Sequence, residues 1–192
     1  MSTSAPQVRR WMRDEYRKMA EYGLFAPEER VELIEGEIVE MSPKRSSHST
    51  STTLAGDALR LAFGRGYTVR IQEPLALGPT SEPEPDVAVV RGMARDYRDE
   101  HPSSALLIVE VAESSLTYDR TTKASLYAKS GVMDYWVVNL QDNQVEVYRD
   151  PVQRVDQPFG YGYSTAAIYK SSETIAPLAA PDKIIAVNDL LP

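Results

Sequence analysis

Two acidic residues stand where the sequence predicts buried β-strands. Glu110 interrupts the apolar run LLIVEVA (106–112), and Asp86 begins the short apolar segment DVAVV (86–90). An ionised carboxylate in a protein interior is strongly destabilising unless a partner compensates its charge. If the two strands are neighbours, the carboxylates converge and repel each other, which raises the pKa of one of them. A divalent cation such as Mg²⁺ or Mn²⁺ removes this conflict, because hard cations bind carboxylate oxygens.

The spacing of residues is equally compatible with a metal-free environment for Glu110. A buried Lys or Arg can pair with it, or it can lie at an exposed strand end. Lys123 is the first cation to consider, since it lies on the predicted helix that follows the Glu110 strand. It also stands four residues after Asp119, and this spacing is typical of an ordinary exposed salt bridge on a helix.

The elements that position these residues alternate between helical and strand patterns. They are helices at 8–22, 48–63 and 117–131, strands at 67–77, 86–90, 105–112 and 184–187, a hairpin at 31–41, a second from 134–140 and 144–150, and an edge hairpin within 161–169. The nearly continuous apolarity of 105–112 predicts burial on both faces, with Glu110 on the face of Leu106, Ile108 and Ala112. The element order predicts a mixed α/β architecture around one central sheet.

The composition of the 192-residue chain is that of a globular domain, with 42% hydrophobic and 26% charged residues. It contains no apolar run of membrane-spanning length and no apolar N-terminal signal, so we expect no membrane association.

The absence of cysteine excludes disulfides and thiolate metal sites and fits a cytoplasmic protein. The net charge of −7 argues mildly against nucleic-acid binding, although a metal site concentrates acid locally. We interpret two basic groups as solvated helix and loop faces, namely Arg9, Arg10, Arg13, Arg17 and Lys18 near the N-terminus and Lys44 with Arg45 later in the chain.

Several further chemistries lack their sequence signatures. The chain has only two histidines, which excludes a histidine-rich metal site. It has no GxxxxGK[ST] phosphate-binding loop and no GxSxG serine-hydrolase turn.

An ordered set of motifs resembles a known family. The segments are PEPD (83–86) and IVEVAESSLTYDRTTKASLYAKSGVMDYWVVNL (108–140), preceded by VELIEGEIVEMSP with His48 after it, and by the VRIQEPLAL strand. Together they resemble the Uma-two family of restriction-endonuclease-like proteins, a branch of the PD-(D/E)xK nuclease superfamily. The resemblance covers roughly residues 20–190 in consistent order.

The resemblance implies a restriction-endonuclease-like core, in which a central mixed sheet is flanked by helices and followed by a C-terminal β extension. It implies a single nuclease-like domain over 1–192. Its N-terminal helix would lie within 1–22, its core within 23–150, and its C-terminal strands and loops within 151–192.

The resemblance also implies a set of site residues. Asp86 of the PD element and Glu110 of the ExK element would bind Mg²⁺, with the backbone carbonyl of Val111 as a further ligand. The ExK lysine should be residue 112, which is Ala112 here, and the family pattern points instead to Lys123 on the following helix. A lysine on that helix can reach the same volume through its four methylenes.

Four further residues have a functional and a structural interpretation each. Glu32 is either an additional acid of the site or a solvated strand residue. Gln72 either bonds a water of the site or is a plain amide at a strand end. His48 is a proton shuttle or a surface histidine at a helix start, and Asp119 orients Lys123 or forms the local salt bridge. The aromatic residues Tyr127, Tyr135 and Trp136 are assigned to core packing.

The functional prediction is a Mg²⁺-dependent endonuclease that hydrolyses phosphodiester bonds of nucleic acid, with DNA favoured over RNA. Because one site handles one strand, cutting a duplex favours a homodimer. The alternative is a catalytically weak or inactive binding or regulatory protein with the nuclease fold. A third hypothesis is an assembly protein that uses the apolar segment 151–192 as its interface.

Overall fold

Three helices flank a six-stranded β-sheet in the computed structural model, which describes residues 7–192. The first six residues of the predicted N-terminal segment lie outside this range. The helices are α1 (Arg13–Glu21), α2 (Ser46–Phe63) and α3, which consists of Leu116–Tyr118, a π-helical turn at Asp119–Lys123, and Ala124–Lys129. The strands are β1 (Val31–Ile34), β2 (Glu37–Glu40), β3 (Tyr67–Ile71), β4 (Val87–Arg91), β5 (Leu107–Ala112), β6 (Asp134–Asn139), β7 (Gln144–Gln153), β8 (Tyr161–Lys170), β9 (Thr174–Ile175) and β10 (Ile185–Ala186).

The large sheet has the order β3-β4-β5-β6-β7-β8. Only β5 and β6 run parallel, and α3 connects them as the crossover that a parallel pair needs. The antiparallel register of β4 and β5 pairs Val87 with Val109. Continued by one residue, this register places Asp86 opposite Glu110. The predicted α/β class with a central mixed sheet is confirmed.

Strand β5 is buried on both faces, as its apolarity predicts. Val109 and Val111 pack with α2 in one core cluster, whereas Ile108 and Ala112 pack with α3 in the other. The placement of Leu106 on the Glu110 face is wrong, because this residue precedes the strand and packs against the α2 side.

The hairpin β1–β2 has the predicted two-residue turn. Glu35 and Gly36 both adopt positive φ, 47° and 81°, which is the conformation of the tight turns that match strand twist. By contrast, the strand predicted at 67–77 ends at Ile71, because Gln72 adopts a φ of 54° and turns the chain. Leu75, Ala76 and Leu77 are buried in the connection that follows.

The C-terminal part differs from the prediction. The segment 161–169 is not a hairpin but part of the single strand β8, which pairs with β7 along most of its length. The turn lies before it, where the Arg154 N–H donates to the Gly160 carbonyl. The boundary expected at residue 150 falls inside β7, and Ile185 and Leu190 belong to the α2-side core. Within residues 7–192, no helix has the length and apolarity needed to cross a membrane.

Candidate active site

Asp86 and Glu110 meet where β4 begins beside β5. The Asp86 backbone N–H donates to Glu110 Oε2 at 3.1 Å, and the Val111 N–H donates to Asp86 Oδ2 at 2.9 Å. Each carboxylate is therefore anchored on the neighbouring strand. Both side chains are buried, with residue exposures of 7% for Asp86 and 5% for Glu110.

Lys123 lies between two acids. Its Nζ is 2.7 Å from Glu32 Oε2 and 3.3 Å from Glu110 Oε1. The Tyr127 hydroxyl donates to the same Glu110 oxygen at 2.6 Å. All four side chains are buried. An ammonium of the protein itself thus compensates Glu110, which is one of the arrangements that the residue spacing allows.

Burial and the neighbouring charges shift the pKa values of Glu110 and Lys123. Burial raises the pKa of Glu110 to about 8, and Asp86 adds to this effect while Lys123 opposes it. Burial by itself would lower the pKa of Lys123, but the Glu110 and Glu32 carboxylates outweigh burial and raise it. The lysine is therefore charged, and it is shared by two carboxylates.

The π-helical turn of α3 carries Lys123 toward the sheet. In a π-turn the backbone bonds span five residues, and such turns within α-helices are frequent at functional sites. Asp119 and Lys123, at the two ends of this turn, are buried, whereas Arg120 between them is exposed and reaches β7. The Arg120 guanidinium donates to both oxygens of Glu146, at 2.8 and 2.5 Å.

Two residues orient Asp86. His48 Nε2 lies 3.1 Å from Asp86 Oδ2, and the Gln72 amide donates to Asp86 Oδ1 at 3.0 Å. Although burial acts against it, the pKa of Asp86 is lowered by these partners and by the Val111 N–H. His48 is mostly enclosed rather than a surface histidine. Gln72 is likewise more than a strand-end amide, because its amide bonds the candidate ligand.

Neither Glu32 nor Asp119 has the surroundings that its structural interpretation predicts. Glu32 is buried rather than solvated, and its second contact is with the Glu84 N–H at 3.2 Å. Asp119 accepts a bond from Ser115 Oγ at 2.5 Å, and burial raises its pKa to about 6. Of the two interpretations of Asp119, the exposed salt bridge with Lys123 does not fit the structure, because Lys123 points inward and pairs with Glu32 and Glu110.

These side chains form one wall of a cavity of about 310 Å³. The residues 41–45, between β2 and α2, and the residues 113–115, after β5, form its other walls. The cavity lining includes Glu32, Asp86, Glu110, Asp119, Lys123, His48, Val111, Lys44 and Tyr118. Every predicted site residue except Gln72 lines it, and Gln72 contacts it through Asp86.

The comparisons with known proteins agree with this fold and these motifs. The family model Uma2, described as "Putative restriction endonuclease", matches residues 13–182. The chain belongs to the Uma2 family. Its fold is similar to the crystal structure of "a putative nuclease belonging to DUF820" from Anabaena variabilis, with a TM-score of 0.67 and 16% sequence identity. That match covers 92% of this chain and 95% of the other. No curated protein sequence matches the chain.

The carboxylates of this Uma2 protein fit a hard divalent cation by their chemistry. No group of three or more His, Cys, Asp or Glu residues within 7–192 is arranged to hold a metal ion. Mg²⁺, however, is commonly bound by one or two carboxylates, with water and substrate phosphate as its other ligands. Asp86 and Glu110 supply two such groups at the cavity wall, and a cation bound there would favour the ionised form of Glu110, whose pKa burial raises to about 8.

Sequence reasoning missed part of this Uma2 site. Tyr127 is a core residue as predicted, but its hydroxyl also bonds Glu110. Its spacing of four residues from Lys123 was the available signal, because such residues share a helix face. Lys44 was visible in the sequence as a basic pair with Arg45, but it is partly buried at the cavity rather than on a solvated face. The contribution of Tyr118 to the cavity had no local signal.

Proposed function

We propose that this Uma2 protein is a Mg²⁺-dependent endonuclease that hydrolyses phosphodiester bonds of nucleic acid, with DNA as the preferred substrate. The observation that carries the proposal is the meeting of Asp86 and Glu110 at a cavity wall, with the Lys123 ammonium 3.3 Å from Glu110. Asp86 and Glu110 would hold Mg²⁺ or Mn²⁺, with the Val111 carbonyl as a further ligand.

The bound cation would polarise the phosphodiester and activate water for in-line attack. Lys123 would stabilise the negative charge that develops on the phosphate oxygens, since it is charged and aimed at the cavity. Glu32 holds the Lys123 ammonium in place, and Tyr127 orients Glu110. These residues are arranged before substrate arrives, so little reorganisation accompanies the reaction.

The residues around Asp86 complete the proposed machinery. Gln72 and the Val111 N–H fix the Asp86 carboxylate in one orientation. His48 lies at the cavity with Nε2 toward Asp86, and its Nδ1 is 3.4 Å from Thr52 Oγ1. This position suits a residue that transfers a proton between the site and solvent. Asp119, at the same wall, supports Lys123 through its charge.

The experiment is a calorimetric titration of Mn²⁺ into the wild-type protein and Glu110→Gln, beside a plasmid-nicking assay. Glu28→Gln is the matched control, because it makes the same substitution at an exposed position outside the cavity. We expect Mn²⁺ binding and nicking in the wild type and control, and loss of both in Glu110→Gln. Metal-independent nicking, or no cleavage of DNA or RNA by the wild type, contradicts the proposal.

One observation favours the second candidate function, a catalytically inactive binding or regulatory protein. Lys123 pairs with Glu110, so this acid has a cationic partner within the protein. A nuclease fold that no longer binds a metal would need such a partner for its buried acid. The residue at the ExK lysine position is Ala112. This candidate predicts nucleic-acid binding without Mn²⁺ binding, so the same titration separates the two functions.

A homodimer and a cytoplasmic location are part of the proposal. Cleavage of both strands by one site per chain favours two copies, which sedimentation with and without duplex DNA measures. The absence of cysteine from the chain is compatible with a reducing compartment.

A further inference from the structure

Two polar groups in the cavity are not used by the proposed machinery. Lys44 lies in the connection between β2 and α2, and Tyr118 lies on α3 just before the π-turn. Lys44 is only partly exposed and forms no salt bridge within the described residues. The Tyr118 hydroxyl oxygen is buried, and within residues 7–192 it has no hydrogen-bond partner.

Both groups stand out from the other polar side chains of the cavity. The Lys123 ammonium has two carboxylate partners, and the exposed Arg45 guanidinium reaches Glu113 at 3.5 Å. Lys44 has no carboxylate partner of this kind. Burial and the neighbouring Arg30 lower the pKa of Lys44. A buried hydroxyl without a partner destabilises a fold by about 1–3 kcal/mol, so such a group is unusual unless a ligand completes it.

The charge of the cavity restricts what that ligand can be. Six acids line it, namely Glu32, Glu40, Asp86, Glu110, Glu113 and Asp119, so an anion needs a cation that these acids do not already hold. Lys123 is shared by Glu32 and Glu110. Lys44 therefore adds to Lys123 a second, partly buried cation of the lining that can neutralise an incoming anion. An ammonium offers three donors and a phenol hydroxyl one, and phosphate oxygens accept both strongly.

We propose that Lys44 and Tyr118 form a phosphate-binding subsite that holds a backbone phosphate of the nucleic acid beside Asp86 and Glu110. The inference rests on the proposed function for its choice of nucleic acid. It goes further by assigning substrate contacts to the β2–α2 connection and to the first turn of α3. Lys44 supplies the charge and Tyr118 the directional hydrogen bond. Both residues line the cavity.

The test measures binding of a fluorescein-labelled duplex DNA oligonucleotide by anisotropy, with single-stranded RNA in parallel. The buffer contains Ca²⁺, a hard cation that binds carboxylate oxygens. The variants are Lys44→Met and Tyr118→Phe, with Lys183→Met and Tyr22→Phe as matched exposed controls. Lys183 packs near Leu61. Helix α2 begins at Ser46, close to Lys44 in the chain, and rises about 1.5 Å per residue. Leu61 and its neighbour Lys183 are therefore roughly 20 Å from Lys44.

We expect Lys44→Met and Tyr118→Phe each to weaken oligonucleotide binding about tenfold, while the controls bind as the wild type does. Lys44→Met should also reduce the slope of log K against log salt by about one, because one phosphate contact is lost. Tyr118→Phe should leave that slope unchanged. Its thermal midpoint should be equal to or above that of the wild type, because an unpartnered hydroxyl is removed. A purely structural tyrosine hydroxyl gives the opposite shift.

The outcomes separate this inference from the proposed function. Wild-type affinity and salt slope in both variants overturn the subsite, even if the wild type nicks plasmid in Mn²⁺. Weakened binding in both variants supports the subsite, even if no protein cleaves any substrate, in which case the endonuclease proposal alone fails. A wild-type protein that binds neither oligonucleotide overturns the subsite as well.

Discussion

Glu110 is a buried acid whose hydrogen-bond partners come from separate parts of the chain. Lys123 and Tyr127 on α3 contact one oxygen, and the Asp86 N–H contacts the other. These partners reduce the cost of burial without removing it, because burial still raises the pKa of Glu110 to about 8. A buried acid of this kind is characteristic of functional sites, where charge is arranged for chemistry rather than for stability.

The metal-free protein should lose stability relative to Glu110→Gln as pH rises. The folded protein holds the Glu110 proton up to about pH 8, whereas the ordinary pKa is 4.5. Stability associated with that proton is therefore present below about pH 4.5 and is lost as pH rises toward 8. At about 1.36 kcal/mol per pKa unit, the shift from 4.5 to about 8 gives an expected relative loss on the order of 5 kcal/mol, measured by urea unfolding across this range. The control Glu28→Gln should follow the wild type, and a constant difference between wild type and Glu110→Gln would contradict the prediction.

Lys123→Met should destabilise the protein strongly. Above about pH 8, where Glu110 is ionised, Glu32 and Glu110 would face each other without the ammonium between them, and breaking such a buried pair costs about 3–5 kcal/mol. The double variant Lys123→Met with Glu110→Gln should recover part of the loss. Unfolding free energies of the two single variants and the double variant give the coupling directly. Additive effects would show that the two side chains do not interact.

The π-turn of α3 is held from outside by one ion pair. Arg120 donates two bonds to Glu146 on β7, and Asn139 and Tyr148 also donate to this carboxylate. Burial opposes ionisation, but these partners lower the pKa of Glu146 to about 2. The ion pair therefore fixes the rotation of the helix segment that aims Lys123 at the cavity.

Arg120→Met should loosen this segment. We expect a loss of about 1–2 kcal/mol, less than for a fully buried pair because Arg120 is partly exposed. Faster hydrogen exchange at 119–123 than at 124–129 would show that the effect is local. The difference from wild type should be present above about pH 4.5 and shrink as pH falls toward 2, since the carboxylate that Arg120 stabilises becomes protonated. Uniform exchange along α3 would contradict this role of the ion pair.

The arginines of the N-terminal part are largely paired within the molecule. Arg10 pairs with Glu37, while Arg13 and Arg17 both approach Glu82. The Arg10 contact attaches the segment before α1 to the hairpin, and the other two attach α1 to the connection before β4.

Deletion of the last part of the chain should unfold the molecule rather than only separate its copies. Ile175, Ile185, Val187 and Leu190 are buried in the α2-side core, and Ser51 of α2 donates to the Leu190 carbonyl. Removing residues 174–192 should therefore abolish the cooperative thermal transition followed by circular dichroism. A truncated protein that unfolds cooperatively but no longer oligomerises would support the assembly hypothesis instead.

Much of the fold follows from local patterns. The apolar runs predict β4, β5 and β6, and the helical stripes predict α2 and α3, because alternation and helical periodicity reflect which side chains face a core. Two boundaries were misplaced. At Gln72, a single residue with positive φ ends the strand. In β8, pairing with β7 extends the strand through the expected hairpin.

The sequence by itself determined that two acids lie in buried strands and that a lysine follows them, since residue type and periodicity are local properties. The tertiary structure decided which groups compensate those acids. Lys123 meets Glu32, which is far from it in the chain, and Lys44 and Tyr118 reach one cavity from separate elements. Such contacts depend on strand order, register and the π-turn. These features arise from packing of the whole chain, and no short segment encodes them.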